Sequence, residues 1–148
     1  MVYTGQFEEG KKKGQGKLEF NDGDLYEGEF DNNLFNGVGK LFKAEDNSLY
    51  EGQFVKDVAH GKGVLTNDDG TTYEGQFKHG KMEGVGTKTF VNGDSYTGKF
   101  KENLQNGIGE YFKSKTGESV KVEYRDGKKW TWSKGKDKGK QNNLNPLL

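Results

Sequence analysis

The sequence contains no cysteine, which removes disulfide stapling, thiolate metal ligation and thiol nucleophiles from consideration. It fits a reducing compartment. There is one proline, and lysine outnumbers arginine 22 to 1, so bidentate phosphate and guanine readout is almost unavailable and specific DNA recognition is not expected. No apolar run nears the roughly 20 residues a membrane-spanning helix needs. The first repeat described below begins at Tyr3, so a secretory leader is not expected and a cytoplasmic location is. Aliphatic residues are also scarce. Only 29% of the chain is apolar and mean hydropathy is −1.06, a composition that borders on disorder.

Aromatic residues argue the other way. Ten Phe, seven Tyr and two Trp make up 13% of the chain, and most stand in register. The phrase Tyr-x-Gly-x-Phe occurs five times, at Tyr3-Gly5-Phe7, Tyr26-Gly28-Phe30, Tyr50-Gly52-Phe54, Tyr73-Gly75-Phe77 and Tyr96-Gly98-Phe100. The tyrosines are spaced by 23, 24, 23 and 23 residues. Each phrase is followed by Gly-x-Gly, at Gly14/Gly16, Gly37/Gly39, Gly61/Gly63, Gly84/Gly86 and Gly107/Gly109. A period of this length indicates one supersecondary unit copied in a row.

Alternate residues of a strand share a face. Tyr, Gly and Phe of each phrase therefore point one way. Thr4/Gln6, Glu27/Glu29, Glu51/Gln53, Glu74/Gln76 and Thr97/Lys99 point the other, where solvated polar groups are expected. The glycine leaves a slot across which rings of neighbouring strands can lie. A second strand is read as starting at Gly-x-Gly, with Leu18, Leu41, Leu65 and Tyr111 continuing the ring face and Lys88 as an unexplained exception. Glu8-Glu9-Gly10-Lys11 and Lys78-His79-Gly80-Lys81 read as turns, as do Asn21-Asp22-Gly23-Asp24, Asp68-Asp69-Gly70 and Val91-Asn92-Gly93-Asp94. With no helical period and no second layer of apolar strands, the expected fold is all-β. It is a single-layer antiparallel meander of about ten to twelve strands, a twisted elongated sheet of hairpin repeats.

The array is assigned to residues 1–127, with repeats starting near 3, 26, 50, 73 and 96 and a degenerate capping copy near 120, where Val120-Lys121-Val122-Glu123-Tyr124 takes the place of the phrase. Residues 128–148 read as a separate basic tail with six lysines and one aspartate, against a net charge of zero for the whole chain. Trp130-Thr131-Trp132 is a candidate last strand, and Ser133 to Leu148 is expected to be disordered.

These phrases resemble the MORN repeat, the membrane occupation and recognition nexus motif, over residues 3 to about 110 and again near 120–128. Repeats two and five are one residue longer, and Ala44-Glu45-Asp46-Asn47 lacks the closing Asp-Gly. The resemblance implies a single-layer hairpin array used for assembly and docking. Such arrays occur in radial-spoke heads of cilia, in junctophilins at membrane contacts, in plant phosphatidylinositol phosphate kinases and in a SET-domain lysine methyltransferase. In the enzymes the catalytic domain is a separate segment.

Candidate chemistry is thin. A strand, not a helix, follows each Gly-x-Gly, which argues against a phosphate cradle. His60 and His79 occupy different slots of their repeats, and no spacing suits zinc. The Asp-rich turns lack the ligand pattern of a calcium loop. No catalytic residue, cofactor or metal is expected. Two surfaces remain. The ten rings Tyr3, Phe7, Tyr26, Phe30, Tyr50, Phe54, Tyr73, Phe77, Tyr96 and Phe100 either pack on one another alone or line a groove for a partner's helix or extended segment. In the tail, Lys128, Lys129, Trp130, Trp132, Lys134, Lys136, Lys138 and Lys140 either solvate the chain or meet an acidic surface such as a tubulin tail, anionic lipid or RNA.

The expectation is a non-catalytic scaffold or adaptor for protein–protein docking in a cytoskeletal assembly, first of all a ciliary axoneme complex such as a radial spoke. The alternatives are a peripheral phospholipid-binding adaptor and a regulatory subunit of an enzyme.

Overall fold

Tight turns decide the architecture. Six two-residue turns have positive φ at both positions: Glu9-Gly10, Asn32-Asn33, Lys56-Asp57, His79-Gly80, Glu102-Asn103 and Asp126-Gly127. That is the conformation whose twist matches paired strands, so each turn closes a hairpin. The second strand therefore pairs from the residue just after the turn. It does not wait for Gly-x-Gly, so it starts earlier than the sequence reading placed it. The Asp-Gly turns close the alternate connections, and in the repeat that lacks Asp-Gly the positive φ falls on Asn47 (φ 56°).

The computed structural model describes residues 1–131 and 145–147. Its strands are β1 (Val2–Glu8), β2 (Lys11–Glu19), β3 (Leu25–Asp31), β4 (Leu34–Lys43), β5 (Ser48–Val55), β6 (Val58–Thr66), β7 (Thr72–Lys78), β8 (Lys81–Thr89), β9 (Ser95–Lys101), β10 (Leu104–Gln105), β11 (Gly107–Lys113), β12 (Glu118–Arg125), β13 (Lys128–Thr131) and β14 (Asn145–Leu147). They form one open antiparallel sheet in sequence order, with β10 a short side pairing of β9. The fold is the single-layer meander expected, with 14 strands among the described residues rather than ten to twelve. The additional strands lie at the C-terminal end. Residues 128–131 and 145–147 extend the sheet as β13 and β14, and β13 includes Trp130 and Thr131 of the candidate last strand. Pro146 stands opposite Trp130 on the edge strand, where a missing N–H costs no ladder bond to a further strand.

In each of the first four hairpins the register slips between Gly and Phe of the phrase. In the first, Gly5 pairs Gly16 but Phe7 pairs Lys12, so residues 13–15 face Gln6 alone. The bulge is plugged by that lone residue. Gln6 Oε1 accepts from the Gln15 N–H (2.7 Å), Glu29 Oε2 from Val38 (2.5 Å), Gln53 Oε1 from Lys62 (2.8 Å) and Gln76 Oε1 from Val85 (3.0 Å). These side chains were expected only to be solvated. They complete the backbone hydrogen bonding that the bulge interrupts.

Candidate functional site: the ring face

The tyrosine of each phrase lies over its own glycine and the glycine paired with it across the hairpin. A methyl group on Gly16, Gly39, Gly63 or Gly86 would sink into the ring of Tyr3, Tyr26, Tyr50 or Tyr73. The glycine slot is thus filled by the phrase's own tyrosine, not by a ring from another repeat. The hydroxyl reaches past the glycine and donates to the bulge residue's carbonyl: Tyr3 to Gln6 (2.6 Å), Tyr26 to Glu29 (2.7 Å), Tyr50 to Gln53 (2.8 Å), Tyr73 to Gln76 (2.8 Å) and Tyr96 to Lys99 (3.3 Å). Burial pushes the phenols of Tyr50 and Tyr73 up to about 12.

Each tyrosine also meets the phenylalanine of the next repeat edge to face. Ring centroids are 5.2 Å apart for Tyr3–Phe30 and Tyr26–Phe54, 4.9 Å for Tyr50–Phe77 and 4.8 Å for Tyr73–Phe100. Tyr96–Tyr124 (4.7 Å) carries the series into the degenerate copy. That copy has no ring at Val120, so Val122 fills the slot that glycine leaves elsewhere and is 1% exposed. These contacts join one hairpin to the next and are the glue of the array.

This geometry revises the groove expected from the ten rings. Tyr26, Phe30, Tyr50, Phe54, Tyr73, Phe77, Tyr96 and Phe100 are buried, none more than 7% exposed, while Tyr3 is half-buried and Phe7 is 62% exposed. The rings form the core of a one-layer protein. One position pairs opposite the phenylalanine in every repeat, five residues after it: Lys12, Phe35, Ala59, Met82 and Gln105. Lys12 Nζ sits 5.4 Å from the Tyr3 centroid, and Phe35 stacks on Tyr26 at 3.8 Å and 8°. The sequence held a signal for this position in its constant interval after each phrase. Its varied chemistry hides it.

At the centre of the face is a basin of about 530 Å³. Leu41, Tyr50, Phe54, Leu65, Phe77 and Met82 give it an apolar floor. Glu45, Asp46, Asp57 and Lys43 stand among its polar lining. The hydroxyl of Ser48 donates to Asp46 (2.6 Å) and holds that carboxyl below its ordinary range, so it stays charged. Lys88, unexplained by sequence, places Nζ 5.6 Å from the Phe90 centroid, a cation over a ring. The opposite face has a more open depression, lined by Glu51, Lys62, Glu74, Val85 and Thr87 beside the central glycines.

The basic surface is redistributed. Lys128 is exposed on β13, but Lys129 lies over the Tyr111 ring (3.8 Å), where desolvation first and then Lys113 lower its pKa. Trp130 pairs Glu123 on β12, with the Arg125 guanidinium 5.1 Å from its ring. Trp132, Lys134, Lys136, Lys138 and Lys140 lie outside the described residues. His60 and His79, apart in the repeat pattern, are neighbours in space: His60 Nδ1 accepts from the His79 backbone N–H (3.3 Å). Among the described residues no group of three His, Cys, Asp or Glu side chains could hold a metal.

Comparison with known proteins gives one family. The family model described as MORN repeat matches residues 3–25, 26–45, 50–72, 73–95 and 96–116. No curated protein matches the chain. One similar solved structure is the TCP domain of SAS-4 (dCPAP) of Drosophila melanogaster in complex with a proline rich motif of Ana2 (dSTIL). The TM-score is 0.48 and identity 16%, over 79% of this chain and 64% of that one. The chain thus spans less than two thirds of that relative's length.

Proposed function

The chain belongs to the MORN-repeat family, and on that premise we propose that it is a non-catalytic adaptor that docks a protein partner on the ring face of its array. The repeat is a scaffold and binding unit, which supports a protein- or membrane-docking role. The observation that favours a protein is the central basin, whose apolar floor of Leu41, Tyr50, Phe54, Leu65, Phe77 and Met82 lies among charged and polar side chains. The partner is assigned to a cytoskeletal assembly, with an axonemal complex such as a radial spoke as the first to test and the cytoplasm or cilium as the location. The motivation is a chain whose recognised part is entirely docking repeats.

The experiment is affinity purification of the tagged chain from ciliated cells beside a Leu65→Glu variant, which places a carboxylate on the basin floor. Cytoskeletal proteins retained by the native chain and lost from the variant support the reading. Equal recovery by both refutes it. Liposome flotation with anionic lipid tests the membrane alternative, and flotation of the chain without any protein partner would favour it. A change in the rate of a co-purifying enzyme would favour the regulatory alternative.

A further inference from the structure

The residue five positions after the phrase lies over its tyrosine in the first two repeats, and in repeat three that position holds only Ala59. Lys12 lies over Tyr3 and Phe35 is stacked on Tyr26, with Met82 and Gln105 at the same register beyond. Ala59 occupies this place beside Phe54, and a methyl group cannot reach across the Tyr50 ring as the Phe35 ring crosses Tyr26. Tyr50 is 7% exposed, against 0% for Tyr26 beneath Phe35.

A second device is missing at the same point. Asn33, Asp57 and Asn103, each second in its turn, use Oδ1 to accept from the backbone N–H of the residue at this position in the preceding repeat. These are Lys12 (2.9 Å), Phe35 (2.8 Å) and Met82 (2.9 Å). The residue in that place for Ala59 is Gly80, as it is Gly127 for Gln105, and neither has a side chain to offer; Ala59 alone combines this with a side chain too short to cover a ring. Ala59 and Gly80 both line the basin, together with Tyr50, Phe54 and Phe77. Set against repeat two, repeat three lacks a flat ring over its tyrosine and an acceptor for the N–H of the residue at this position.

We infer that the docked partner supplies both, inserting a single aromatic side chain over Tyr50 and presenting a carbonyl oxygen to the Ala59 N–H. The ring takes the place Phe35 holds one repeat earlier, with Phe54 and Phe77 on either side as Phe30 and Phe54 flank Phe35 (5.6 and 5.8 Å between centroids). Three carboxylates, Glu45, Asp46 and Asp57, against Lys43 in the basin lining select a partner with lysine or arginine beside that aromatic. The occupant is therefore a peptide segment of a protein with one aromatic anchor and basic flanks. This rests on the ring-face docking reading and adds the identity of its anchor.

A displayed library of random dodecapeptides selected on the full chain tests it. Binders are then measured against Ala59→Phe and Ala59→Met, which install residues that neighbouring repeats carry at this position. They are also measured against Gly80→Asn, which restores the acceptor at a positive φ (82°) close to that of Asn103 (73°). The expected result is enrichment of one aromatic with adjacent Lys or Arg. Affinity should fall about tenfold or more in Ala59→Phe and by about threefold to tenfold in Gly80→Asn, the scale of one stacked ring and one hydrogen bond. The melting temperature of Ala59→Phe should not fall, because the ring enters space the fold already leaves. A lower melting temperature in both Ala59→Phe and Ala59→Met would overturn the inference by showing that the space is not there. Binders unaffected by the substitutions at 59 and 80 but lost with Leu65→Glu would overturn the aromatic anchor and leave ring-face docking standing. Binders insensitive to all four variants, or no enrichment, would overturn both.

Discussion

Phe77→Ala is the substitution that most directly weighs the glue between repeats. Phe77 is 6% exposed and sits between Tyr50 (4.9 Å) and Tyr73 (5.2 Å), so it belongs to repeat four yet holds the tyrosine of repeat three. Removing a buried phenyl ring costs ~3–5 kcal/mol, of which each edge-to-face pair accounts for ~0.5–1.5 kcal/mol. The lower end applies here, because Phe77 borders the basin and water can enter the space left behind. The expected loss is therefore ~3 kcal/mol. Urea unfolding followed by far-ultraviolet circular dichroism measures it. Tryptophan fluorescence supplies an independent probe of the C-terminal end, since the two tryptophans are Trp130 and Trp132. If the contact couples repeats, the two transitions coincide in the native chain and separate in the variant. A loss below ~1 kcal/mol with coincident transitions would mean that the ring is not holding the array together.

Gly63→Ala should destabilise by ~1–3 kcal/mol or more in the same assay, because the added methyl displaces the Tyr50 ring and its 2.8 Å bond to Gln53. Gln76→Ala should cost ~1 kcal/mol, because it leaves the Val85 N–H of the bulge without its acceptor, whereas Glu29→Gln keeps an acceptor oxygen and should be close to neutral. All seven tyrosines have raised pKa values, with burial as the largest cause, and Tyr50, Tyr73 and Tyr111 stand at about 12. A group whose folded pKa is raised stabilises fully below its unfolded value, here 10.0, and loses that contribution as pH rises towards 12. Absorbance at the phenolate band should therefore rise together with loss of the β-sheet signal, not before it. Asp46, Asp69 and Asp94 have lowered values, from hydrogen bonds with Ser48, Thr71 and Ser114 first, so their contribution is present above 3.8 and is lost as pH falls below it. Denaturation midpoints should drop on that acid side, and Asp94→Asn should flatten the drop.

Much of this architecture was legible because the phrase carries its own geometry. Period-two alternation placed Tyr, Gly and Phe on one face, and the Gly- and Asn-containing turns placed the hairpins. The bulge was not legible, because Gln6 or Gln53 in an alternating strand reads as one more solvated residue. Only the register shows three residues facing it. The groove was half legible. Rings in a row do point to one face, but a tyrosine can fold down over two glycines and bury itself in a single layer, and periodicity gives no hint of that. Ala59 is an ordinary small residue until Phe35 and Met82 are seen at its register. The last strands were partly readable: Trp130 and Thr131 read as strand, but Lys128 and Lys129 have a tail's composition and join it by pairing with Arg125 and Tyr124.

The central claim, that the ring face at repeat three is where a partner docks, is tested most directly by site-specific photo-cross-linking in ciliated cells. The photoreactive residue is placed at Leu65 on the basin floor or at Val85, 53% exposed on the opposite face. The account predicts a protein cross-link from position 65 that disappears in the Ala59→Phe background, and none from position 85. A cross-link from 85 but not from 65 would contradict it.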